Sequence, residues 1–116
     1  MNERYIRQTM IPEIGEAGQE KLKNAKVLIV GIGGLGSPIS LYLTAAGVGQ
    51  IGLIDDDIVS RSNLQRQILY TEAEIGQSKV ECACRRLSAL NSSTRFETYL
   101  NRFTSDNADR LLSAYD

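Results

Sequence analysis

The residues best suited to chemistry in this chain are Gly31, Gly33 and Gly36, then Asp55, then the polar run Ser62 to Gln67, with Lys79 beyond it. Gly31-Ile32-Gly33-Gly34-Leu35-Gly36 follows the apolar run Lys26-Val27-Leu28-Ile29-Val30 and opens a segment with helical spacing. In that setting the first glycine allows a tight turn, and the second lets a phosphate approach the backbone. The third lets the helix sit close to the strand. The helix start adds free N–H groups and a partial positive charge for an anion. Asp55 ends the next apolar run, where an acid can accept hydrogen bonds from ribose hydroxyls. Glycines serving only a strand-to-helix turn are the plainer alternative, but the agreement of strand, loop, helix and acid favours a nucleotide. These features do not separate ATP from NAD or FAD, and a fold does not name a function.

The elements that must position these residues follow from the pattern. Pro12 and Gly15 break any helix in the polar region Asn2 to Thr9, which also holds Tyr5 and Ile6. Gly18 to Ala25 reads as a short amphipathic helix. Lys26 to Val30 reads as a strand buried on both faces, as in a parallel sheet. Ser37 to Ala46 is a helix with Pro38 in its first turn and Gly47 closing it. Gln50 to Ile54 is a second strand and Asp56 to Ser60 a loop. Ser60 or Ser62 caps a short helix through Gln67. Gly76 to Leu90 is the next helix, with Val80, Ala83, Cys84, Leu87 and Leu90 on one side. Thr94 to Leu100 is a third strand, and Ser105 to Tyr115 a last helix. This alternation predicts an α/β fold: a Rossmann-like three-layer domain, its parallel sheet truncated to about three strands with flanking helices.

Composition narrows the class. The chain has 116 residues, 42% hydrophobic and 23% charged, with net charge −1, which suits one ordinary globular domain. That charge offers no broad basic field for nucleic acid. No run approaches the length of a membrane span, and Met1-Asn2-Glu3-Arg4 has no apolar leader behind it, so a cytoplasmic protein is expected. Cys82 and Cys84 would point to different faces of a helix, and with no histidine in the chain they cannot complete a zinc site. Buried reduced thiols are the expectation.

The order Arg4-Tyr5-x-Arg7-Gln8, Gly31-x-Gly33-Gly34-Leu35-Gly36, Asp55-x-Asp57, Ser62-Asn63-Leu64-Gln65-Arg66-Gln67 and Gly76-Gln77-x-Lys79 resembles the ubiquitin-activating superfamily over essentially the whole chain. Its bacterial members, the adenylyltransferases of molybdopterin and thiamine biosynthesis, are the nearest in pattern. A dinucleotide oxidoreductase, the other enzyme class using such a loop, has no reason to carry Ser-Asn-Leu-Gln-Arg-Gln after its ribose acid. The resemblance implies ATP-dependent adenylylation of the C-terminal Gly-Gly carboxylate of a ubiquitin-like sulfur-carrier protein. An ATP-dependent tRNA-modifying dehydratase of the same superfamily is a further alternative, less well matched at Leu64-Gln65.

By this resemblance Gly31, Gly33, Gly34 and Gly36 line the nucleotide pocket and Asp55 holds the ribose. Ser62, Asn63, Leu64, Gln65 and Arg66 lie along the nucleotide, with Asn63 and Arg66 on the phosphates and Lys79 on the phosphate chain. Arg7 matches an arginine supplied to the partner's ATP across a homodimer. Singly, each has a plainer role: Arg66 and Lys79 as solvated charges, Asn63 as a helix cap, Arg7 paired with Glu3. Asp57 matches an acidic position to which the sequence attaches no role beyond shaping the loop.

The resemblance also places further parts beyond Asp116: a strand ending in the aspartate that binds Mg2+, then cysteine pairs for structural Zn2+. The chain is therefore expected to be an N-terminal ATP-binding piece, residues 1–116, that grips adenine nucleotides weakly and lacks turnover. In a sheet of order 3-2-1-4 the first strand would then be an edge. An apolar edge invites pairing with a second copy, cover by the N-terminal segment, or exchange of elements.

Overall fold

A computed structural model describes residues 3–116. Asn2, with which the N-terminal reading begins, lies outside the described residues. A 3-10 turn at Glu3–Tyr5 leads into one helical turn, α1 (Ile6–Thr9). Then follow α2 (Gly15–Asn24), β1 (Lys26–Val30), α3 (Gly36–Ala46) and β2 (Gln50–Ile54). After 3-10 turns at Arg61–Asn63 and Glu72–Glu74 come α4 (Lys79–Leu90), β3 (Arg95–Tyr99) and α5 (Ala108–Leu112).

The three strands form one parallel sheet in the order β1-β2-β3, with Ile29 opposite Leu53 and Leu53 opposite Thr98. Side chains alternate between the faces of a strand. Val27, Ile29, Ile51, Leu53 and Phe96 therefore share one face, and they pack in a core with Val80, Ala83 and Leu87 of α4 and with Leu41 and Leu43 of α3. Ile51 and Leu53 are fully buried. Each such burial stabilises the fold by about 1.5–3 kcal/mol. On the other face Tyr115 lies against β2. A methyl on Gly52 would fall 2.2 Å from its hydroxyl oxygen, and that hydroxyl is 2.8 Å from the Tyr99 hydroxyl.

Several boundaries differ from the sequence reading. α2 begins at Gly15, three residues before the expected Gly18, with Gly15 at φ +57° at the helix start. The Ser60 cap is present, but the helix expected through Gln67 stops at Asn63 as a 3-10 turn. The last helix is confined to 108–112, and α4 starts at Lys79. On α4 the buried thiol is Cys82, while Cys84 is half-exposed and Leu90 exposed. The sequence reading had put Cys84 and Leu90 on the buried side. The stripe follows Lys79, Val80, Cys82, Ala83 and Leu87, one step round the helix from the reading.

β1 is an edge, as the order 3-2-1 requires. Its sequence is dressed for burial on both faces, yet only Ile29 is buried and Val30 is 52% exposed. Ala25 and Gly31 bond toward β2, so Lys26, Leu28 and Val30 turn their peptide groups outward. At Lys26 that edge is met by Asp116, whose N–H donates to the Lys26 carbonyl at 2.8 Å while its Oδ2 accepts the Lys26 N–H at 2.9 Å. The N-terminal segment does not cover the edge. It packs at the opposite end of the helices, where Gln8 donates to the Ala46 carbonyl and Arg4 to the Leu90 carbonyl.

Candidate nucleotide-binding site

The glycine loop joins the C-terminal end of β1 to the first turn of α3, and two of its four glycines are required by the chain itself. Gly31 sits at φ +85°, a conformation costly for any other residue. Gly36 faces the chain itself: a methyl there would lie 2.1 Å from the Gly31 carbonyl oxygen. Gly33 differs, since a methyl would meet nothing closer than the Gln67 amide at 3.6 Å. Gly34 behaves likewise, with the Arg66 side chain 3.8 Å away. Protein packing does not demand glycine at 33 and 34, whereas close approach of a ligand to the backbone does.

The loop is held from several sides. The Gly31 N–H donates to the Ile54 carbonyl at 2.9 Å, and the Ser37 N–H to the Gly33 carbonyl at 2.9 Å. Asp55 Oδ2 accepts the Ile32 N–H at 2.8 Å. The Tyr70 hydroxyl donates to the Ile32 carbonyl at 2.6 Å. Burial, with the charge of Asp55, drives the Tyr70 phenol far above its ordinary range, so it stays a donor. Among the described residues, no acceptor takes the N–H groups of Gly33, Gly34 or Leu35. They form an anion-ready helix start.

Around this start the structure gathers most of the sequence-predicted residues. Asp55 lies at the mouth of β2, half-buried, each oxygen already accepting one backbone N–H, from Ile32 and from Asp57. Lone pairs remain on both oxygens for hydroxyl donors. The Arg66 stem runs beside Gly34, and its guanidinium donates to the Ser62 carbonyl at 3.1 Å. Asn63 does cap: its Oδ1 accepts the Ser60 N–H at 2.9 Å, which leaves its amide N–H groups for other partners. Ser62 and Gln65 are exposed beside it, while Leu64 packs against the core.

Lys79 is not the solvated charge of its plainer reading. Its side chain is 5% exposed, and its ammonium lies 3.3 Å from Asp57 Oδ2. Asp57 is held below the usual carboxylate range, first by the Ile58 N–H, against burial, which raises it, and with further help from the Lys79 hydrogen bond and charge.

Arg7 does not join this group. Its neighbour Gln8 bonds to Ala46, at the far end of α3 from the loop, and eleven residues of α3 span about 16 Å. Arg7 is exposed and makes no ion pair with Glu3 among the described residues.

Three features escaped the sequence reading. Tyr70 clasps the loop, and its place in an apolar run hid a hydroxyl that needs a partner once buried. Gln67 is 4% exposed beside Gly33, with its Oε1 unpaired. A cleft of about 200 Å³ lies between Val30, Gly31, Asp55 and the stretch Asn101 to Phe103. Arg102 pairs there with Asp56 at 3.4 Å. The Asn-Arg-Phe run carried no spacing signal.

A parallel α/β sheet whose first strand passes through a glycine loop into a helix start defines a Rossmann-like domain. Residues 5–116 match the ThiF family, and the chain belongs to it. The chain is 50% identical over 114 residues to a sulfur carrier protein adenylyltransferase of Thermus thermophilus, spanning 98% of itself and 42% of that relative. In structure it is similar to E. coli MccB solved with ATP, with TM-score 0.84 and 35% identity over 100% of this chain and 35% of that one. It is also similar to the E. coli tRNA N6-threonylcarbamoyladenosine dehydratase solved with AMP, with TM-score 0.85 and 32% identity over 90% of this chain and 43% of that one. The chain thus spans less than half the length of these relatives.

Proposed function

We propose that this chain is the ATP-gripping part of an adenylyltransferase that activates the C-terminal Gly-Gly carboxylate of a ubiquitin-like sulfur-carrier protein. The observation that carries the reading is the room beside Gly33 and Gly34, where a methyl would meet only the Gln67 and Arg66 side chains, next to the N–H groups of Gly33, Gly34 and Leu35 that no acceptor takes among the described residues. In the reaction a carboxylate oxygen attacks the α-phosphorus of ATP, an acyl-adenylate forms and pyrophosphate leaves. The groups of this chain orient the triphosphate and offset its charge, while Asp55 accepts from the ribose. The cleft before Phe103 is a place for the base.

The higher identity to the Thermus enzyme than to the tRNA dehydratase supports the sulfur-carrier reading over that alternative. Thiamine and molybdopterin biosynthesis are the pathways such an enzyme would serve, in the cytoplasm. In the described residues no helix is long and apolar enough to cross a membrane.

Mg2+ would accompany the triphosphate, but the residues present do not fit a metal centre. No group of three acidic, Cys or His side chains among the described residues could hold one. Asp55 and Asp57 are engaged by backbone and by Lys79. Nor do Cys82 and Cys84 build a zinc site, because Cys82 is buried in the core.

A homodimer in which Arg7 serves the partner's ATP is part of this proposal. Its support is geometric. Leu35, Ile39 and Tyr42 form an exposed apolar line along α3, which carries no charge. A second copy laid antiparallel on that line would bring its Arg7 end to this copy's glycine loop. Tyr42→Glu should leave a monomer by sedimentation, and an unchanged dimer would remove α3 from the interface.

The nucleotide assignment is tested by equilibrium binding of ATP and NAD. ATP should bind in preference, and the Arg66→Ala, Lys79→Gln pair should abolish that preference. Tighter NAD binding, or unchanged ATP affinity in the double variant, contradicts the reading.

A further inference from the structure

Asp57 stands between the two charged parts of the candidate site, and each of its polar groups is used. Its N–H donates to Asp55 Oδ1 at 2.8 Å. Its carbonyl accepts the Lys79 N–H at 3.1 Å. Its Oδ2 faces the Lys79 ammonium at 3.3 Å, and its Oδ1 accepts the Ile58 N–H at 2.8 Å. One residue therefore ties the acid assigned to the ribose to the lysine assigned to the phosphates.

The burial of the pair is unequal, and this gives Asp57 its importance. The Lys79 side chain is 5% exposed and that of Asp57 61% exposed. Lys79 has no other anionic partner within ion-pair distance among the described residues. An ammonium taken from water without a counter-charge is costly and tends to lose its proton or move. Asp57 needs no such help, since it faces solvent and is fixed by Ile58. Water also screens its charge from incoming phosphates.

We propose that Asp57 is a positioning residue of the nucleotide site, holding the Lys79 side chain in place and aimed at the phosphate chain. This rests on the nucleotide reading above and deepens it. Asp57 acts through Lys79, so its effect should appear with ligands that carry phosphates and vanish when Lys79 is absent. A residue that merely shapes the loop would instead disturb Asp55 and every nucleoside alike.

The test is equilibrium binding of ATP and of adenosine to the chain and its variants. Asp57→Asn keeps the shape and removes the charge. It should weaken ATP about tenfold, the scale of a charge-assisted hydrogen bond. Adenosine affinity should stay within about twofold. Asp57→Glu should recover part of the loss. In the Lys79→Gln background, Asp57→Asn should change ATP affinity by less than about twofold, because the interaction it removes is already gone. Additive losses, equal losses for ATP and adenosine, or unchanged ATP affinity would overturn the assignment of Asp57 alone. Failure of the unsubstituted chain to bind either ligand would overturn the nucleotide reading and this role with it.

Discussion

The glycine loop and the Ser62 to Arg66 segment face the same space but are built in opposite ways. In the loop, Gly31, Ile32 and Gly33 are held by β2, by Asp55, by Tyr70 and by the first turn of α3. The segment is mostly exposed and is held by local bonds, Asn63 to Ser60 and Arg66 to Ser62. The loop presents backbone dipoles fixed by the fold, whereas the Arg66 guanidinium is exposed and held by a single local bond to Ser62. Stability and binding should therefore be coupled in the loop and separable in the segment.

The sharpest break of that contrast is Gly36→Ala. A methyl 2.1 Å from the Gly31 carbonyl must push α3 off β1. Thermal unfolding should fall by more than about 10 °C, with ATP binding lost, since overpacking of this kind costs about 1–3 kcal/mol or more. Tyr70→Phe should come next. It leaves the buried Ile32 carbonyl without its donor, and urea unfolding should show a loss of about 1–3 kcal/mol. ATP affinity should fall with it.

Arg66→Ala should separate the two properties. Stability should stay within about 0.5 kcal/mol of the parent, while ATP affinity falls about tenfold. Gly34→Ala should resemble Arg66→Ala despite lying in the loop, because a methyl there meets only the Arg66 side chain. A large stability loss in Gly34→Ala would mean that the chain itself needs that glycine.

The smallest effect is that of pH at Asp57. Its folded-state carboxyl is lowered, so its stabilising contribution is present above the ordinary carboxylate range and is lost as pH falls through the lowered value. Asp57 is mostly exposed, so the gap in urea midpoint between the parent and Asp57→Asn should be small at pH 6 and vanish in acid.

How much of this was legible in the sequence varies by element. β1 and β2 were readable because apolar runs end sharply at glycine or aspartate, β3 because its residues alternate, and the sheet order followed from the alternation of strands and helices. Gly31 and Gly36 were readable because their reasons are local. Arg66 and Asn63 were placed by pattern, but the segment's lack of a full helix was not foreseen, since a cap such as Ser60 marks a start and not a length. The burial of Lys79 was not readable, because lysine usually lies in water and its partner Asp57 comes from another loop. Tyr70 and the Asn101 to Phe103 wall were missed for the same reason: their roles arise from residues far away in sequence.

We propose that the glycine loop is shaped for the phosphates of ATP. The direct measurement is an ATP titration of the chain followed by backbone amide resonances. The largest shifts should fall on Gly33, Gly34 and Leu35, with adenosine leaving those three nearly unmoved. Saturable ATP binding that shifts other amides and leaves these three in place would contradict the claim.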